Sequence, residues 1–402
     1  MSQEIVIVGG ARTPMCEYSG TPGFGKLADM SAIELAAHAS RAAIERSKVG
    51  ADSIDHVVVG NALQTSNDAI YGARHVGLKA GTRENAPALT VNRLCGSGIQ
   101  SLINGAHLIL CDEATTVLAG GMENMSQAPF VVHGLRKGVR FGTQPQLEDL
   151  LFASLQDPNC GLYMAQTAEK IAARLGISRE EQDEYAFRSH ELGAAAVKEG
   201  RFAEEIDPII IKSRRGDQVI DIDDHIRPDT TIEGLSKLRA AFGKDGTVTA
   251  GNASGIVDGA AAVVMTTAER AKADGLDAWA TIRGWSTVGV DPTEMGIGPV
   301  PAIRAVLEKA GLSIDDIDLF EINEAFSAQY LGCEKELELN RDRANVNGGA
   351  ISLGHPLGAT GTRLILTLMY SLRRTGKRYG IASACIGGGQ GIAMLIENTQ
   401  AK

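Results

Sequence analysis

Two distant parts of this 402-residue chain carry the same succession of segments, and nothing else in it restricts the fold so strongly. Ile54-Asp55-His56-Val57-Val58-Val59-Gly60-Asn61-Ala62 is echoed by Ile317-Asp318-Leu319-Phe320-Glu321-Ile322-Asn323-Glu324-Ala325. Val91-Asn92 recurs as Val346-Asn347 ahead of Gly348-Gly349, and Ala119-Gly120-Gly121 recurs as Ala384-Cys385-Ile386-Gly387-Gly388. Each match is weak alone, but all come in the same order. A unit duplicated within one chain predicts two similar α/β halves packed face to face.

The local patterns agree. Residues 4–9 form an apolar strand, and Met30 to Arg46 has helical spacing, with Ser31 and Glu34 as a capping box. A buried strand follows Ser53, then a helix over Ala69 to Val76, a short strand over Leu89 to Asn92, a helix over Gly98 to Leu110 and a strand over Thr115 to Ala119. Glu123 to Val248 breaks this rhythm with irregular segments, the charged stretch Lys212 to Asp229, and a long polar helix over Ser178 to Glu199. Core-like sequence returns over Gly246 to Ser254, with a strand over Ala260 to Met265. The expected division is 1–122 plus 249–275 as a first half, 123–248 as an insertion, and 276–402 as a second half. The length fits more than one core, and 47 glycines against 4% aromatics fit an α/β chain with many tight turns.

Four strand-end loops carry Cys, Asn, His and Cys; the polar pair in Asn323-Glu324-Ala325-Phe326 is uninformative alone, and the other three are more telling. Cys95 sits in Asn92-Arg93-Leu94-Cys95-Gly96-Ser97-Gly98, between a β-like run and a helix. A helix N-terminus offers unpaired N–H groups and partial positive charge, so this placement is expected to favour thiolate, the nucleophilic form. A small buried cysteine in a tight turn is the plainer alternative. A nucleophilic cysteine needs a base and an oxyanion site. His355 lies in the glycine-rich stretch Gly348 to Gly361, where Pro356 suits the first turn of a helix running from Gly361 to Arg373. The duplication sets this loop opposite Cys95; the other seven histidines occupy ordinary polar or helical settings. Cys385-Ile386-Gly387-Gly388-Gly389-Gln390-Gly391 is a second cysteine entering a turn able to expose consecutive N–H groups. No Gly-Lys-Ser/Thr follows, so it is not a phosphate-binding P-loop.

Taken together, the chain resembles the thiolase family, the acyl-CoA acyltransferases that make or cleave 3-ketoacyl-CoA. The resemblance spans essentially the whole chain. Its motifs are Ala11-Arg12-Thr13-Pro14, Asn92 to Ser101, Gly251 to Gly255, Asn323-Glu324-Ala325-Phe326, Gly354-His355-Pro356 and Cys385 to Gly389. It implies a duplicated five-layer αβαβα fold with an inserted loop domain that holds coenzyme A. It implies Cys95 as nucleophile, His355 as acceptor of its proton, and Cys385 as acid/base at the substrate α-carbon or the departing CoA. Asn323, through a water, would join His355 around the enolate oxygen. The N–H groups of Cys95 and Gly387 would hold the acyl-enzyme carbonyl. Leu155, Met164, Arg227, Phe242, Ala250, Ser254, Ala325 and Phe326 match the family's CoA and substrate contacts. Biosynthetic acetoacetyl-CoA thiolases often carry histidine just before Met164, where this chain has Tyr163. The segments Ser66 to Tyr71 and Met295 to Pro299 look closest to the ketoacyl-CoA thiolases of fatty-acid oxidation.

A net charge of −10 argues against nucleic acid or an anionic membrane as principal partner. No run reaches the ~18 apolar residues of a membrane span, and Met1 to Val8 enters a strand without a basic leader. Six cysteines without CxxC or zinc-like spacing fit free thiols in a reducing cytoplasm, with no metal site. The resemblance implies coenzyme A as substrate and product, no permanent cofactor, and a homodimer or homotetramer. A ketosynthase or hydroxymethylglutaryl-CoA synthase is the nearest rival, but those relatives lack a second cysteine at the place of Cys385. A non-catalytic CoA- or lipid-binding protein would be expected to have lost Cys95 or His355. Chain length and the direction of the reaction stay open at this stage.

Overall fold

The computed structural model describes residues 3–214, 216–243 and 245–401. Met1, Ser2 and Lys402 of the expected terminal segments lie outside them. One half of the main sheet runs Ala88–Val91, His56–Gly60, Thr116–Glu123, Val257–Thr267, Ile5–Arg12. The other half runs Leu319–Ile322, Tyr379–Ile386, Gln390–Asn398, Ala280–Gly289. Antiparallel pairing of Ile5–Ile7 with Ala280–Ile282 joins the two.

The duplication is explicit in the pairing. In the first half, His56–Gly60 pairs in parallel with Ala88–Val91 and Thr116–Glu123, and the next two pairings are antiparallel. In the second half, Leu319–Ile322 pairs in parallel with Tyr379–Ile386, followed again by two antiparallel pairings. The counterpart of Ala88–Val91 is reduced to one parallel bridge, Phe320 to Ala344.

Three apolar clusters fill the spaces between five layers. The middle one packs helices Ser97–Leu110 and Leu357–Thr375 between inner faces of both half-sheets. The outer two cover the other faces, one around helix Ala32–Ser47 and one around helices Pro299–Ala310 and Ser327–Leu337. Leu364, Ile365, Leu366, Leu368, Met369 and Leu372 of the central helix are essentially inaccessible. Their burial contributes roughly 9–18 kcal/mol before entropy is counted, at about 1.5–3 kcal/mol each. The two central helices touch through glycine: a Cβ on Gly98 would lie 2.4 Å from Thr362 N, and one on Gly361 2.3 Å from Ile99 N.

The elements differ from expectation mainly at their ends. The Ser31/Glu34 capping box is present. The second central helix starts at Leu357, with Pro356 as its N-cap, so His355 immediately precedes the cap instead of standing in a longer loop. The strand expected over Ala260 to Met265 extends to Val257–Thr267, because it is paired on both sides.

The chain leaves the sheet at Glu123 and re-enters at Val257, and Gly259 sits opposite Glu123. Between them lie helices Met164–Leu175 and Arg179–Lys198 and short hairpins. A buried arginine binds this excursion to the sheet. Arg12 donates from Nε to Glu205 Oε1 (2.8 Å) and from Nη1 and Nη2 to the two Asp223 oxygens (2.7 and 2.8 Å). Asp223 also accepts from the Met15 N–H at 2.7 Å. All three charged side chains are buried.

Candidate active site

Cys95 lies in a one-turn 3-10 segment, Leu94–Gly96, that runs straight into helix Ser97–Leu110. Leu94, just before it, is left-handed at φ +46°, a conformation that costs a non-glycine residue roughly 1 kcal/mol. The turn is locked because Ser97 Oγ accepts from the Arg93 N–H (2.8 Å) and donates to the Leu94 carbonyl (2.7 Å). The backbone N–H groups of Gly387 and of Cys95 itself are turned on the Cys95 sulfur. A Cβ on Gly387 would sit 3.2 Å from both Leu94 Cδ1 and Met164 Sδ, so a larger residue there would have to push these two side chains back.

His355 is buried, and its partners fix its tautomer. Asn323 Nδ2 donates to Nε2 at 3.3 Å, which requires a lone pair there. Nδ1 therefore carries the proton and donates to Thr360 Oγ1 (2.6 Å), whose hydroxyl donates on to the Pro356 carbonyl (3.0 Å). Burial, then the Arg363 charge, pull the imidazole down to about 3, so it stands neutral. Burial likewise pushes the Cys95 thiol up to about 11, against the two N–H groups that favour thiolate. The expectation of a helix-stabilised thiolate is thus corrected. At this sulfur the loss of water outweighs the helix end, and the two groups rest as thiol and neutral imidazole.

Cys385 is buried in an apolar cluster with Met295 and Ala325, flanked by Met164 and Phe326. Burial raises its thiol well above the ordinary range, and the neighbouring Cys95 adds to the rise. Asn323 Oδ1 is buried with no hydrogen-bond partner in the protein. The adjacent Glu324 is occupied as scaffold, accepting from Tyr185 Oη, Ser189 Oγ, Asn345 Nδ2 and the Ile351 N–H (2.7–3.1 Å). Glu123 does the same across the halves, binding the Ala62, Leu63 and Gly358 N–H groups. Burial pushes Glu123 up to about 7.

A cavity of about 680 Å³ reaches His355, while Cys95, Asn323, Cys385 and Gly387 are not among the residues that line it. Leu155, Met164, Arg227, Phe242, Ala250, Ser254 and Phe326 line it together with His355; Ala325 packs beside it with Cys385. Arg227 donates to Glu17 Oε2 (2.7 Å) and lies over the Phe24 ring at 4.8 Å. Tyr163 is held between Phe152 and Phe242, with ring centroids 4.9 and 5.1 Å away. Two histidines read from sequence as ordinary also line the cavity. His225 pairs through Nδ1 with Glu17 (2.9 Å), and His190 Nδ1 accepts the Arg227 N–H at 3.1 Å. No spacing in the sequence marks them, since Glu17, His190 and His225 come from three separate segments. Among the described residues no group of three His, Cys, Asp or Glu is placed to hold a metal, and no helix is long and apolar enough to cross a membrane.

Comparison with known proteins agrees with this geometry. Residues 5–269 match the family model for the thiolase N-terminal domain, and residues 276–398 match that for the thiolase C-terminal domain. The human mitochondrial 3-ketoacyl-CoA thiolase is 50% identical over 98% of this chain and 98% of its own. The beta-ketothiolase BktB of Cupriavidus necator is 45% identical over 99% of this chain and 100% of its own. The crystal structure of the human mitochondrial enzyme in complex with CoA superposes with a TM-score of 0.95 at 49% identity, covering 99% of this chain and 98% of that one.

Proposed function

The chain belongs to the thiolase family, and on that premise we propose that Cys95, His355, Cys385 and Asn323 run its acyl transfer between CoA thioesters. The chain is an acyltransferase with coenzyme A as substrate and product. One observation carries the assignment of roles: the N–H of Gly387, from the second half, is turned on the sulfur of Cys95, from the first.

In the thiolysis direction, Cys95 Sγ attacks the 3-keto carbon while its proton passes to His355 Nε2, the nitrogen that the Thr360 contact keeps unprotonated, in place of the long Asn323 hydrogen bond. Cleavage of the C2–C3 bond leaves an acyl-enzyme and the enolate of acetyl-CoA. The proton now on Nε2 can donate to the enolate oxygen. The unpartnered Asn323 Oδ1 can anchor a water on the same oxygen. Cys385, kept as a thiol by its apolar cage, supplies the proton that turns the enolate into acetyl-CoA. CoA then gives its thiol proton to the Cys385 thiolate and attacks the acyl-enzyme, whose carbonyl oxygen the Cys95 and Gly387 N–H groups hold. The C–S bond to Cys95 breaks, and the departing thiolate takes back the proton from His355 Nε2. Each half-reaction passes through an oxyanion, and the two sites serve one each. Condensation is the same path reversed.

The cavity contacts support CoA along Leu155, Met164, Phe242, Ala250 and Ser254, with Arg227 presenting its face away from Phe24 to the nucleotide. Ala325 and Phe326 would border the acyl group. An aromatic Tyr163 in place of histidine, between the rings of Phe152 and Phe242, supports substrates longer than acetoacetyl-CoA. Initial-rate thiolysis across 3-ketoacyl-CoA chain lengths tests this. Parallel double-reciprocal lines and activity beyond four carbons are expected. Intersecting lines would sink the acyl-enzyme path, and activity on acetoacetyl-CoA alone would sink the chain-length reading.

The division into 1–122 plus 249–275, 123–248 and 276–402 is supported by where the chain leaves and rejoins the sheet. The six free cysteines support a reducing compartment; the cytoplasm is one, and the mitochondrial naming of relatives points to another. A dimer at least is supported by Ala88–Val91, a sheet-edge strand whose Leu89 is exposed, as are Ile70 and Tyr71. Two such edges can pair with each other. A solution mass near the 42.3 kDa of one chain would rule this out.

A further inference from the structure

The turn that carries Gly387 is conformationally loose by composition. Gly388 and Gly389 follow it at φ +81° and +82°, and such residues give a turn little stiffness of its own. Holding an N–H on a sulfur to within about 0.5 Å therefore requires ties from outside the turn. On one side Gly389 is wedged on the Val290 carbonyl and Pro292, and Gly391 on Gly298; a Cβ on either would come within 2.4 Å of them. On the other side stands Arg93, half-buried and two residues ahead of the sulfur. Its Nη1 donates to Gln390 Oε1 at 2.8 Å, across 297 residues of sequence. Its Nε donates to Gln100 Oε1 at 2.7 Å, and Gln100 is held in turn by Asn104 on the same central helix (2.8 Å). One planar guanidinium thus bridges the glycine turn and the helix that follows the nucleophile. Its fixed fork of donors suits that task; an ammonium would reach only one partner well.

We propose that Arg93 is a positioning residue for acyl transfer, tying Gln390 to Gln100 so that the Gly387 N–H stays on the Cys95 sulfur. This rests on the reading of Cys95 as nucleophile. Without the tie the turn can relax, and the N–H that stabilises both the thiolate and the acyl-enzyme oxyanion drifts off line.

The test uses the full-length enzyme with Arg93→Met, Gln390→Met and the double variant. Two quantities are read: steady-state thiolysis, and the pH dependence of iodoacetamide alkylation followed by mass spectrometry on the Cys95 peptide. Each single variant should lose about tenfold to a hundredfold in kcat, less than the 10²–10³ lost when an oxyanion donor is removed outright. KM for CoA should stay within about twofold, because the CoA contacts are untouched. The alkylation profile should move to higher pH. The double variant should lose no more than the worse single, since one tie can be broken only once, and Arg93→Lys should recover part of the loss. Wild-type kcat and alkylation in both singles would overturn the proposal, even with a lowered unfolding midpoint, as would losses that multiply in the double variant. Should Arg93→Met fail to fold, Gln390→Met applies the same test from the other end. Wild-type enzyme that turns over after alkylation at Cys95 would instead refute the nucleophile assignment.

Discussion

Thiolysis by Cys95→Ala is expected to fall by about 10⁴-fold or more, as when the nucleophile of a covalent mechanism is removed. The loss should appear in kcat with CoA affinity kept, because the cavity wall that would hold CoA comes mostly from residues 155–256. Cys95→Ser should do little better. A hydroxyl is a far poorer nucleophile than a thiol, and His355, held down to about 3, is a weak base for it. The wild-type thiol carries its own signature. With the group pushed up to about 11, only about one molecule in 10⁴ is thiolate at pH 7. Alkylation of Cys95 in the free enzyme should therefore climb through pH 9 without levelling. A plateau below pH 8 would show a resting thiolate–imidazolium pair and discard the neutral-pair description. Cys95→Ala with more than a hundredth of wild-type activity would discard the covalent mechanism.

Arg12→Met should cost about 3–5 kcal/mol of stability, the usual consequence of removing one partner from a buried ion pair. Methionine roughly replaces the arginine's stem. It leaves Glu205 and Asp223 facing each other without a cation, where burial already drives Glu205 upward. Arg12 also joins the first strand to the segment that runs on to His225 and Arg227 in the cavity. KM for CoA should accordingly rise several-fold while kcat changes less. Denaturant unfolding and CoA-dependent initial rates check both parts. A variant as stable as wild type would show that the buried arginine is not what fastens the excursion to the sheet.

Much of this protein was legible in its sequence, and the reasons are local. Cys95, His355 and Cys385 each stand at a strand or helix end among glycines, and that pattern reflects backbone turns set by neighbouring residues. The duplication was legible because the apolar strands and their terminal motifs recur in order, and the parallel–antiparallel–antiparallel pairing repeats with them. Even the Ser31 cap was readable, being a contact across three residues.

What tertiary structure alone decided concerns groups whose behaviour depends on what packs over them. The sign of the Cys95 shift follows from enclosure by the second half, so the helix end that a sequence shows could not predict it. The His355 tautomer turns on Thr360 and Asn323 acting on opposite nitrogens of one ring. His190 and His225 enter the cavity only because Glu17 and Arg227 are folded against them. The Arg93–Gln390 tie joins residues 297 positions apart. Turn geometry and periodicity are written in consecutive residues, whereas desolvation and long-range hydrogen bonds exist only once distant segments have met.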